Sequence, residues 1–89
     1  MYQINVFSGE SIYFEQTEES LPLAVSCCLR QIGRSNRTAQ ISFQGMIVYE
    51  ANSEVEHYYD ENGNELTTTQ VFTMLLSELY KFYPREEIA

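Results

Sequence analysis

The sequence predicts an α+β domain: a mostly antiparallel sheet of five or six strands with two helices packed on one face, in the order β-β-α-β-β-β-(β)-α. Three observations carry this. Apolar residues alternate in MYQINVF and SIYFEQ, apolar residues recur at spacings of three and four in SLPLAVSCCLRQIG, and short alternating segments then lead into a second helical pattern after Leu66. At 89 residues the chain makes a single domain, 1–89, of a size that buries about 60 to 65 per cent of the surface its unfolded chain exposes.

The first two strands read as a hairpin. Tyr2, Ile4 and Val6 share a face, as do Ile12 and Phe14, with Ser8, Gly9 and Glu10 between them. A three-residue loop sets Val6 opposite Ile12 and Ile4 opposite Phe14, so that both strands bury one set of side chains. The helix that follows runs from about 21 to 32. Leu21, Ala24, Val25, Cys28, Leu29 and Ile32 form its stripe, Ser20 is placed to cap it, Pro22 lies in the first turn, and Gly33 can take the left-handed conformation that ends it.

Residues 38–51 read either as a hairpin turning at Gln44 and Gly45 or as one long strand; the hairpin is preferred because thirteen or so residues is long for a strand in a small domain. It sets Phe43 beside Met46 and Ile41 beside Val48. In EVEHYY, Val55, His57 and Tyr59 are expected inward, with Glu56, Tyr58 and Asp60 outward.

The acidic stretch VEHYYDENGNELTTTQVF invites a calcium-loop reading, and the spacing rejects it. With Gly63 at the sixth position, the first falls on Tyr58 and the twelfth on Thr69, neither of which supplies the required carboxylate. Asn62 and Gly63 instead suit a two-residue turn with Tyr59 facing Leu66. Thr67 and Gln70 then have the spacing of a capping box, with Leu66 and Val71 as a hydrophobic staple, opening a helix that runs to about Tyr83 before Pro84.

Composition narrows the function. Thirteen acids against five bases leave a net charge of −8, with Arg30, Arg34 and Arg37 as a lone basic island. Such a field repels nucleic acid and anionic membrane and attracts basic protein surfaces. The three arginines invite an anion-site reading, with Arg30 and Arg34 four apart; the preferred expectation is that they satisfy the negative end of the first helix and pair with the surrounding acids. Cys27 and Cys28 are adjacent and unable to bridge on a regular helix, and with no third cysteine the chain reads as reduced and cytoplasmic; Cys28 is expected to fill core. No apolar run has the length to span a bilayer, and the N-terminus lacks a signal-peptide pattern.

No cofactor, metal site or catalytic residue is predicted. His57 is the only histidine and no nucleophile stands at a motif spacing, so an enzyme reading would rest on His57 with a nearby acid alone. The binding expectation rests on tyrosines that alternate away from the core, Tyr13, Tyr49 and Tyr58, sharing outward faces with Glu15, Glu50, Glu56 and Asp60. Phenols among carboxylates grip arginine and lysine by charge, hydrogen bonds and cation–π contact.

The function expected is that of a small acidic binding or modulator protein docking on a basic protein surface. It would inhibit by charge mimicry if that surface normally meets nucleic acid. The alternative is a homodimer. Val71, Phe72, Leu75, Leu76, Leu79, Tyr80, Phe82 and Tyr83 fill an apolar arc of about 180° on the last helix, wider than a surface helix requires and leaving Met74 outside, and its edge of Leu76, Tyr80 and Tyr83 is left for the first helix or another molecule to bury.

Overall fold

The computed structural model describes the backbone of residues 1–82 and the side chains of residues 1–77. Five strands, β1 (Tyr2–Ser8), β2 (Ser11–Glu18), β3 (Arg37–Phe43), β4 (Met46–Ala51) and β5 (Glu56–Tyr58), combine with two helices, α1 (Leu21–Ile32) and α2 (Thr68–Phe82), in the predicted α+β order. Every neighbouring pair in the sheet is antiparallel, in the spatial order β2-β1-β3-β4-β5. Because β2 and β3 both flank β1, they run parallel to each other. Their connection must cross over the sheet, and α1 is that crossover.

The helix α1 forms where the sequence places it. Ser20 sits in extended geometry and its hydroxyl accepts from the Leu23 N–H at 3.2 Å, Pro22 occupies the first turn, and Gly33, with φ +54°, donates its N–H to the Leu29 carbonyl. One stripe position differs from expectation. Leu29 is 46 % exposed while Cys27 is buried, because the two lie on opposite flanks of the stripe and a small roll of the helix exchanges them.

Hairpin registers depart further from simple alternation, and each departure is one inserted residue. The β1–β2 turn uses two residues, Gly9 (φ +64°) and Glu10, not three. Tyr13 then bulges, so that Phe7 pairs with Ile12 and Val6 with Phe14, and Ile12 ends 54 % exposed instead of inward. The β3–β4 hairpin turns at Gln44 (φ +52°) and Gly45 (φ +81°), with Phe43 beside Met46 as expected. There Val48 is the bulged residue, and Ile41 faces Tyr49 instead of Val48.

Beyond β5 the turn also differs. Asp60 pairs with Asn64 around Glu61, Asn62 and Gly63, with Gly63 at φ +82°, a three-residue loop in place of the expected two. Tyr59 therefore bridges Glu65, not Leu66, and this isolated bridge stands where a sixth strand was possible. The capping box forms as predicted: the Gln70 side chain accepts from the Thr67 N–H at 2.9 Å, and the Thr67 hydroxyl accepts from the Gln70 N–H at 3.2 Å.

The core lies between α1 and one face of the sheet. Ile4, Val6, Ala39, Ile41, Tyr49, Ala51 and Tyr58 meet Leu21, Ala24, Val25, Cys27, Cys28 and Ile32, while Leu66, Val71, Met74 and Leu75 pack against this cluster from the α2 side. Met74, outside the arc projected for α2, thus contributes to the core margin, and Phe72, inside it, is 66 % exposed. Tyr83, where the helix was expected to end, and the Tyr80 side chain lie outside the described residues.

Candidate docking surface

The bulge at Val48 decides where the tyrosines go. It reverses the phase of β4, so Tyr49 points inward and is fully buried, with 0 % exposure. Tyr58 pairs with Tyr49 across the β4–β5 ladder and follows it inward, its ring packed edge-on at 4.8 Å between centroids. Neither ring is available to a partner, which overturns the expected outward placement of both. Burial drives both hydroxyls up, to about 12 for Tyr58 and higher for Tyr49, whose O–H donates to Glu56 Oε1 at 2.8 Å.

The carboxylates are divided between the edges. Glu15 projects from β2 opposite Asn5, and Tyr13 beside it is half exposed with the Arg37 guanidinium 3.8 Å from its ring centroid. Glu50 and His57 face each other on the opposite side of the outer face, with β1 and β3 intervening. The strand spacing puts β2 and β4 about 14 Å apart, so the predicted site residues do not form one cluster. Glu56 lies opposite inward-facing Ala51 and turns its carboxylate to Tyr49, not outward. Asp60 is half-buried, and its Oδ1 accepts from the Asn62 and Asn64 N–H groups at 2.8 and 2.9 Å, which holds the loop. Leu76 is half-buried.

His57 was expected inward between Val55 and Tyr59; instead its Nδ1 pairs with a Glu65 carboxylate oxygen on the outer side, and Val55 is 48 % exposed. Tyr59 completes this group. Its phenol is raised by partial burial and then by the charges of Glu50 and Glu65. Arg37 is otherwise engaged, its Nη1 donating to the Gln31 carbonyl at the end of α1.

What the structure assembles is therefore an acidic border, not a tyrosine face. From Glu50 to Glu65 there are six acids and no lysine or arginine, and the topology strings them along β5, the adjoining strand and the two loops. The central strands β1 and β3 carry no acid at all. Among the described residues no arginine forms an ion pair with this border, and His57 pairs with Glu65. No cluster of three or more potential ligands for a metal ion is found among the described residues, and no described helix is long and apolar enough to cross a membrane.

Beside the border lies an open groove of about 690 Å³. Because β5 stops at Tyr58, the tip of the β3–β4 hairpin projects past it, and the first turns of α2 stand opposite. Phe43, Met46, Val48, Leu66 and Met74 supply the apolar lining, and Asp60 and Glu61 stand on its margin. Sequence reasoning missed this feature. The phase of β4, by contrast, had a signal in Glu50: the alternation that turns Val48 inward also turns Glu50 inward, whereas the observed phase, Tyr49 and Ala51 inward, keeps Glu50 out.

Comparison of the chain with protein-family models, curated proteins and solved structures gave no significant match.

Proposed function

We propose that this protein is a small acidic, non-catalytic binding protein that docks on a basic protein surface through its β5 border. The observation that carries the reading is the run of six acids from Glu50 to Glu65, without a lysine or arginine, along one edge of the fold. Burial of Tyr49 and Tyr58 removes the tyrosine contribution, so charge and hydrogen bonding supply the attraction. A partner whose basic surface normally meets nucleic acid would be blocked by such a border, since its carboxylates stand in for phosphates. The same reading places the protein in a reducing compartment such as the cytoplasm, because Cys27 and Cys28 are free thiols in the core.

The test is a salt titration with the partner captured from native extract, purified and rebound. Affinity falls by at least about ten-fold as salt is raised from about 0.05 to about 0.3 M if charge drives docking. An affinity indifferent to salt refutes it.

A second reading, self-association through α2, is favoured by one observation. Phe72 is 66 % exposed and stands four residues before half-buried Leu76 on the same stripe of the helix. Sedimentation at increasing concentration tests it: a dimer that Phe72→Ser dissociates supports this reading, and a monomer at every concentration removes it.

A further inference from the structure

We infer that the groove between α2 and the β3–β4 hairpin seats an apolar anchor of a basic partner segment, one whose large aliphatic side chains are flanked by lysine or arginine. This rests on the charged-border reading and adds the element that a border alone lacks, a place for non-polar side chains.

Two features of the groove select this occupant. Its lining is apolar and adaptable: Met46 and Met74 face it, and methionine reshapes around varied side chains at little cost. Met46 is 44 % exposed at the hairpin tip, so among the described residues nothing covers all of this apolar surface. At about 690 Å³ the groove is in the range of pockets that take a small ligand or the anchoring face of a peptide. Its margin, in contrast, is anionic. Asp60 and Glu61 both line it, Asp60 with its Oδ1 held by the loop's N–H groups and Glu61 exposed. A purely apolar segment would leave exposed Glu61 without a counter-charge, and an acidic one would be repelled; an apolar anchor with flanking cations satisfies both parts.

The experiment uses the full chain and two labelled synthetic peptides, read by fluorescence anisotropy. One carries two leucines a helical turn apart flanked by lysines, and the other replaces both leucines with serine at the same charge. The leucine peptide binds at least about ten-fold more tightly, the worth of burying one large aliphatic side chain. Met46→Gln, at an exposed position, and Thr73→Trp, which fills the groove from the exposed wall of α2, each abolish that preference while leaving the weak, salt-sensitive binding of the serine peptide. Equal affinity for the two peptides, or a leucine preference that both variants retain, overturns the groove assignment and leaves the charged border standing. Failure of both peptides to bind at low salt overturns the border reading and this inference together. A dimer that either variant dissociates identifies a second copy as the occupant and overturns the inference as well.

Discussion

A phenol with no solvent exposure must find an acceptor inside the fold, and Tyr49 finds Glu56 across the β4–β5 ladder. The contact ties the short edge strand to the sheet. Replacing Tyr49 with Phe removes the hydrogen bond and keeps the ring, so urea unfolding should show a loss of about 0.5–1.5 kcal/mol, whereas Tyr49→Ala also empties core and should cost about 3–5 kcal/mol. Alkaline pH probes the same buried groups. Cys28 and Tyr58, with ordinary values of 9.0 and 10.0, are both held neutral up to about 12 by burial. As pH rises through the ordinary values, the unfolded chain releases these protons while the folded chain retains them. Stability must therefore fall with rising pH across that window, and it is fully present below it. Urea midpoints between about pH 9 and 12 should decline for the native sequence and decline less steeply for Tyr58→Phe; a flat native profile contradicts the assignment. The raised Cys28 thiol is also a poor nucleophile, which agrees with its place as fully buried core filling.

At the scale of elements, local chemistry was readable and one-residue insertions were not. Ser20, Pro22 and Gly33 act within a turn of their own positions, which is why α1 runs from Leu21 to Ile32 as its caps require, and Thr67 with Gln70 opens α2 for the same reason. The hairpin at Gln44 and Gly45 was readable for a different reason, the length a single strand would otherwise need. Bulges at Tyr13 and Val48 answer to tertiary demands instead: with them Phe14 and Tyr49 lie on the core side of the sheet, and alternation within a single strand carries no trace of that demand. The site followed suit. Glu15 and Glu50 lie on the outer face as expected, but the missed bulge at Val48 put Tyr49 on the wrong side, and the phase read from EVEHYY alone did the same for Glu56, His57 and Tyr58. The turn offers a direct check on the geometry, since Gln44 holds a left-handed φ that a long side chain resists. Gln44→Asn, a residue suited to that conformation, should raise stability by up to about 1 kcal/mol in urea unfolding, and a loss of stability would show that the turn is built differently.

For the molecule as a whole, the distribution of charge matters more than its sum. Acids flank the sheet on both sides, on and around β2 and on and around β5, while the two strands that carry none lie between. Charged edges keep sheets from pairing with one another, and charge of either sign achieves that. Docking on a basic surface needs negative charge, and the proposed border puts it at β5. Reversing Glu54 and Glu61 to Lys changes the net charge by as much as reversing Glu10 and Glu19 beyond the ends of β2, and all four are exposed. The decisive measurement is the affinity of these two double variants for the purified basic partner at low salt. The β5-side reversal should weaken binding by at least about ten-fold and the β2-side reversal by less than about three-fold; equal weakening by both, or none by the first, would contradict a docking border at β5.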